Sequence, residues 1–198
     1  MKLLLSFLLV FPALVVADIQ IRVKSNYEAG ADAFQAGNIE MALVFFQQGA
    51  DKGEADSQAA LGTHYYFGDG VEKDLTKALE LFEQSAAQDD ALGHSMLGII
   101  YNKGDEVPPN PEKAYQHARK AAVRCLAQSQ NQVAHQLYQG QGVEQNKPEA
   151  LAWLVVSEQF GNEHAQDGIA HILSELTDEQ AENARVMAEK LNNELLCQ

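Results

Sequence analysis

The sequence predicts an all-α protein, an α/α solenoid of about four helix–turn–helix repeats closed by C-terminal capping helices. Three observations carry that prediction. Asn38, Asp74, Asn110 and Asn146 fall 36 residues apart, and each is of a type that caps a helix N-terminus through its side chain. Each is followed four residues later by an alanine, at Ala42, Ala78, Ala114 and Ala150. Glycines precede the last three caps at the same 36-residue spacing, at Gly68, Gly104 and Gly140. Self-similarity at a period of about 20–50 residues is the mark of a repeat architecture.

Taken in order, the chain opens with MKLLLSFLLVFPALVVA, in which Lys2 precedes an apolar stretch ending in Val15 and Ala17. The stretch is shorter than the roughly 20 apolar residues that span a bilayer. Residues 1–17 therefore read as a secretory signal peptide, cleaved near Ala17 to leave a soluble periplasmic or secreted chain from Asp18. No later stretch is long and apolar enough to span. Residues 18–54 form a degenerate first repeat that keeps the Asn38 cap and a second helix through Phe46 and Ala50, with its loop shortened to Ala36 and Gly37. A terminal repeat is expected to be atypical, because one of its sides has no neighbour.

Residues 55–90 are the clearest unit. Ala55, Ala59, Gly62 and Tyr66 recur at helical spacing, with Leu61 and Tyr65 beside them. Gly68 and Gly70 end that helix, and Asp74 starts a second one with Leu75, Ala78, Leu79, Phe82 and Ala86 along one stripe. Residues 91–126 repeat it with Leu97, Gly98 and Tyr101, then Gly104 and Val107, then Asn110 with Pro111 at the first helical position, where a missing N–H costs nothing. The glycine before the valine is replaced by Glu106, so that loop is expected to bend differently. Residues 127–162 carry Val133, Ala134, Leu137, Gly140, Gly142, Val143, Asn146 and Leu154, and Glu149 completes a capping-box-like pair with Asn146. The small residues Gly62, Gly98 and Ala134 mark where one helix must approach its neighbour closely, which makes the adjoining Tyr65 and Tyr101 packing positions. Residues 163–198 supply the cap. A helix over 162–174 is expected, then a capping box at Thr177 and Gln180. A last helix follows with Ala184, Ala188 and Leu191 on its apolar face and an acidic back carrying Glu182 and Glu189.

At this length of matching pattern, LGTHYYFGDGVEKDLTKALELFEQSAAQ resembles a repeat of the Sel-one-like family, relatives of tetratricopeptide repeats. The resemblance lies in Leu61-Gly62, Tyr65, Gly68, Gly70-Val71, Asp74, Lys77-Ala78 and Ala86-Ala87, and runs over about Tyr27 to Gly161. It implies a scaffold or adaptor for other proteins, and for exported bacterial members a role in envelope processes, signalling or host contact. Some cysteine-rich members are connected with penicillin binding, but those carry a cysteine pair in every repeat. This chain has only Cys125 and Cys197 and departs from that pattern.

The formal charge of −14 becomes one unit more negative when Lys2 leaves with the leader. So acidic a chain is repelled by phosphate backbones and anionic lipid, which argues against nucleic acid and for a protein partner with a basic or polar surface. No G-x-S-x-G, S-x-x-K, H-E-x-x-H or phosphate-binding glycine loop is present, so no catalytic residue and no cofactor is assigned; GDG and GQG are repeat turns. His164, Asp167 and His171 lie on one helix face. The outer pair are about 10.5 Å apart along the axis, too far to share one ion, so no metal is assigned either. A cell-envelope hydrolase or penicillin-interacting protein is the alternative function.

Binding residues are expected on the first helices, which line the inner face of a solenoid. Thr63, His64, Ile99, Ile100, His135 and Gln136 fall off the packing stripe, and Tyr66, Asn102 and Tyr138 share one repeat position. Tyr66, Tyr138 and His135 combine size with a polar tip and are the expected main contributors to partner capture. Cys125 and Cys197 lie two periods apart, which in a regular stack separates them by roughly 20 Å. A disulfide needs Cα atoms within about 7 Å, so the two thiols are expected to stay unpaired unless the last helix folds back.

Overall fold

In a computed structural model, which describes residues 24–104 and 107–197, the caps do what their chemistry requires. The helices are α1 (Asn26–Gln35), α2 (Ile39–Asp51), α3 (Ala55–Phe67), α4 (Leu75–Ala86), α5 (Ala91–Lys103), α6 (Pro111–Ala122), α7 (Ala127–Gln139), α8 (Lys147–Gln159), α9 (Ala165–Leu173) and α10 (Asp178–Glu194). No strand occurs among the described residues. The expected leader over residues 1–17 and the expected bend at Glu106 lie outside them.

Each second helix begins with a side-chain oxygen accepting an otherwise unpaired amide. Asn38 accepts from Met41 N–H at 3.1 Å, Asp74 from Lys77 at 2.9 Å, Asn110 from Lys113 at 2.9 Å and Asn146 from Glu149 at 3.1 Å. The preceding loops share a second device. The cap residue's own N–H donates back into the first helix, Asp74 to the Tyr65 carbonyl, Asn110 to Tyr101 and Asn146 to Leu137, at 2.8–3.0 Å. Gly68, Gly104 and Gly140 end those first helices with φ of 76°, 77° and 71°, left-handed values that glycine adopts without a Cβ clash. A left-handed glycine at the start and a return bond at the end thus recur in all three loops.

The helices pair as antiparallel hairpins, α1 with α2, α3 with α4, α5 with α6 and α7 with α8, and each hairpin stacks on the next. Close approach occurs where small residues predict it. A Cβ on Gly98 would lie 3.2 Å from the Ala118 backbone nitrogen, and one on Gly62 would lie 2.8 Å from the Phe82 ring. Tyr65 and Tyr101 are half-buried beside these contacts, each with a lysine over its ring: Lys77 at 4.2 Å and Lys113 at 4.9 Å from the centroids. The core runs through the stack in three connected stretches. The last and largest is built on Trp153, fully buried, with the Arg119 guanidinium 4.9 Å from its ring.

The third repeat departs from its neighbours at one pair, of a buried and a half-buried residue. His94 stands where the adjoining repeats have Gln58 and Gln130, and His117 where they have Leu81 and Trp153. The two imidazoles meet Nδ1 to Nδ1 at 3.0 Å, so one donates and the other accepts, and Tyr101 stacks on His117 at 5.7 Å. Burial pushes the His117 imidazole down to about 4, and burial likewise lowers His94, partly opposed by Asp89, whose Oδ1 is 3.5 Å from His94 Nε2.

Two expectations at the C-terminus are corrected. The ninth helix begins at Ala165 and not at Asn162. The Asn162 side chain donates to Ser157 Oγ and accepts from His164 N–H, which holds the segment as a turn. The cysteines are also paired: Cys125 and Cys197 form a disulfide with Cα atoms 5.5 Å apart. The regular-stack argument fails because the chain stops advancing after α8. The Thr177–Gln180 capping box starts α10, which packs on α8 and not beyond it. Its 17 residues reach back about 25 Å, and Leu196 N–H then donates to the Val123 carbonyl at 2.7 Å. The tail thereby meets the α6–α7 turn, two repeats earlier than register alone implies.

Candidate functional site

The stacking leaves α1, α3, α5, α7 and α9 side by side, and three hollows run along the face they build. The first, of about 610 Å³, lies between α1, α3 and the start of α5, with Tyr27, Phe34, Phe46, His64 and Phe67 among its walls. The second, of about 490 Å³, lies between α3, α5 and α7 and takes in Phe67, Asn102, Lys103, His135 and Gln136. The third, of about 220 Å³, lies between α7 and α9 around His135, Tyr138 and His171. Phe67 is common to the first two, and Asn131 and His135 to the last two. The result is one continuous groove.

The predicted binding residues divide by depth. His135 and Asn102 are exposed on the groove wall, and Thr63 is half-buried in the first hollow with its hydroxyl donating to the Ala59 carbonyl at 2.9 Å. Ile99 lines the second hollow. His64, Ile100 and Gln136 occupy equivalent repeat positions and are all buried, which corrects their placement off the packing stripe. The reason is geometric: this position faces the preceding helix pair, His64 lying against Phe34 and Phe46 and Ile100 in one cluster with Tyr66 and Phe82. His64 is bonded through Nδ1 to the Asp69 carbonyl at 2.8 Å, and its ring packs edge-on to Phe34 at 5.5 Å. Ile100 is core.

Tyr66 is corrected in the same way. It is 6% exposed and packs in the core with Phe82, and only its hydroxyl edge reaches the second hollow, where Lys103 donates to it at 3.3 Å. Tyr138, one repeat position equivalent two units on, keeps an accessible phenol. Its hydroxyl donates to the Glu175 carboxylate at 3.1 Å and lies 3.0 Å from His171 Nε2. Lys147, and then Tyr138, hold Glu175 below the usual carboxylate range by their hydrogen bonds. His171 thus belongs to this polar cluster. Among the described residues no three His, Cys, Asp or Glu side chains stand in a metal-holding group.

Two groove residues escaped the sequence reading. Phe34 and Phe67 are 47% and 65% exposed on either side of the first hollow. Phe67 sits one residue before the Gly68 cap, where the next repeats place Lys103 and Gln139. A bulky apolar residue at a position otherwise occupied by polar ones was the available signal. The rest of the groove is strongly amide in character, with Asn102, Gln128, Asn131, Gln132 and Gln136 in its central hollow. Among the described residues, no carboxylate or arginine lines that hollow, and Lys103 is its one lysine.

Comparison with known proteins bears on the whole of this architecture. The Sel1 repeat profile matches residues 25–54, 55–90, 91–122 and 127–155, more than half of the chain. A Sel1 repeat protein from Oxalobacter formigenes has a similar crystal structure, at 26% identity and a TM-score of 0.70, covering 74% of this chain and 59% of that one. The crystal structure of c5321, a protective antigen of uropathogenic Escherichia coli strains with an SLR fold, matches at 22% identity and a TM-score of 0.62, covering 86% of this chain and 45% of that one. This chain thus spans about half the length of these solved relatives. A sequence comparison with curated proteins gives no significant match.

Proposed function

This chain belongs to the Sel1 repeat family, and on that premise we propose that it is an exported protein-binding scaffold or adaptor that works without catalysis. Repeats of this family serve in general to bring proteins together. The observation that carries the reading is the continuous groove along the five first helices, whose hollows share Phe67, Asn131 and His135. A groove of that length fits a polypeptide better than a small substrate. The aliphatic hydroxyl on the wall of the first hollow, Thr63, is tied to the Ala59 main-chain carbonyl, which favours binding over turnover. Export rests on the apolar leader, and the Cys125–Cys197 bond supports it, since disulfides persist in oxidising compartments.

A photo-reactive amino acid placed at His135 tests the proposal in the producing cell, with the same group at Glu182 on the exposed back of α10 as control. The expected result is a defined protein adduct at His135 only, recovered from the envelope or medium on a chain beginning at Asp18. Adducts at Glu182 alone would move the interface off the groove. Recovery of the chain from the cytoplasm with its leader intact would remove the export half.

A further inference from the structure

Gln136 is the group in this groove whose chemistry is incomplete. It is 1% exposed and lines the central hollow, and neither its Oε1 nor its Nε2 has a hydrogen-bond partner. Buried polar groups are nearly always paired, because an unmade bond costs the desolvation of the group. The fold does not require a polar residue here. The equivalent position one repeat earlier is Ile100, buried at 2% in an ordinary apolar contact. The equivalent two repeats earlier, His64, is polar and satisfied by Asp69. Gln136 alone of the three retains an acceptor and a donor together with nothing to meet them.

That pair selects a ligand class. A carboxylate would satisfy Nε2 and leave Oε1 bare, an ammonium the reverse, and an acyl chain neither. One residue of extended main chain offers an N–H and a C=O together and satisfies both. Around Gln136 the hollow is lined by further carboxamides, and it opens at Phe67 into the first hollow, where Phe34 and Phe67 leave large apolar surface in water. Although the chain carries a formal charge of −14, the described polar side chains of the central hollow are mainly carboxamides, with one lysine and one histidine, a lining suited to an uncharged segment.

Resting on the scaffold reading above, we infer that the groove binds an extended, uncharged segment of a partner polypeptide, whose main chain pairs with the Gln136 carboxamide while one large apolar side chain enters the Phe34–Phe67 hollow. This is an interaction of main-chain recognition plus a single side-chain anchor, with the anchor carrying a disproportionate share of the affinity.

The test uses the full mature chain to select from a display library of random peptides. Selected peptides, with blocked termini, are then titrated against wild type, Gln136→Ile and Phe67→Ala. Gln136→Ile copies the third repeat and removes an unpaired buried amide, so its unfolding midpoint should equal or exceed wild type. A loss of binding in that variant cannot then be a loss of fold. The expected result is enrichment of uncharged peptides with an aromatic or branched aliphatic residue, and a tenfold or greater weakening by each substitution. If Phe67→Ala weakens binding and Gln136→Ile does not, the main-chain pairing is overturned. If neither does, the peptides bind elsewhere and this site fails while the scaffold reading stands. If no peptide is selected but the His135 adduct forms in cells, the partner docks as a folded surface and the extended-segment inference is wrong. Failure of both experiments sinks the scaffold reading itself.

Discussion

At the scale of single residues, a handful of side chains at repeat positions carry measurable consequences. Gly98 is the plainest, since α5 and α6 meet there backbone to backbone. A Cβ at that position would stand 3.2 Å from Ala118 N and 3.4 Å from Ala114 O. Backbone cannot rotate aside as a ring can. Gly98→Leu is therefore expected to cost at least the roughly 1–3 kcal/mol typical of overpacking, read as a lower urea midpoint, and an unchanged midpoint would refute the close approach. The His94–His117 pair has a different consequence. His117 titrates near 4 in the folded chain, against an unfolded value of about 6.5. A depressed folded pKa means that the unfolded state takes up the proton first. The stability this neutral pair contributes is thus complete above about pH 6.5 and is lost as pH falls toward 4. The groups facing the pair act in both directions. Lys113 and Lys120 oppose protonation of His117, and Lys120 and Arg124 that of His94, which Asp89 favours. His117→Leu, which copies the second repeat, should flatten the pH dependence between those limits by roughly 1–3 kcal/mol. Urea midpoints for wild type and variant near neutrality and in mild acid measure it, and parallel pH profiles would contradict it.

At the scale of elements, the turns between hairpins explain the C-terminus. Gly53, Asp89, Cys125 and Gly161 recur at one repeat position, with φ of 81°, 60°, 69° and 88°. The position is left-handed by construction, and a non-glycine residue there carries a cost of about 1–2 kcal/mol. Asp89 offsets it by lying within reach of Arg124 and His94. Cys125 offsets it by its bond to Cys197, which anchors the end of α10. Cys197→Ser should remove roughly 2–4 kcal/mol from the C-terminal unit. It should speed hydrogen exchange in α10 while leaving α1–α4 protected, because a solenoid couples each unit only to its neighbours. Uniform loss of protection, or none in α10, would show that the bond does not clasp this helix.

At the scale of the whole molecule, the same nearest-neighbour stacking that builds the core also builds the groove. Every first helix contributes one strip of wall, and the hollows join because the strips share residues such as Phe67 and His135. The chain alone determined what repeats along it. The caps at Asn38, Asp74, Asn110 and Asn146, the left-handed glycines and the small residues at helix crossings are local requirements of backbone geometry. They can be read from a period, and so could the Thr177–Gln180 box. The depth of the groove residues was not legible in that way. A period of 36 residues assigns His64, Ile100 and Gln136 to one position but does not say how far that position is turned toward the preceding hairpin. Tyr66 and Tyr138 share a register, yet only Tyr66 has Phe82 behind it and Lys103 over it, whereas Tyr138 meets Glu175 from the capping helices. The disulfide is the same case at longer range. Its distance depends on α10 reversing across α8, a choice made by packing an unpartnered apolar face at the end of the stack. Local chemistry determined the unit, and only tertiary packing decided how the units face one another, because orientation between helices is a property of contacts between distant residues.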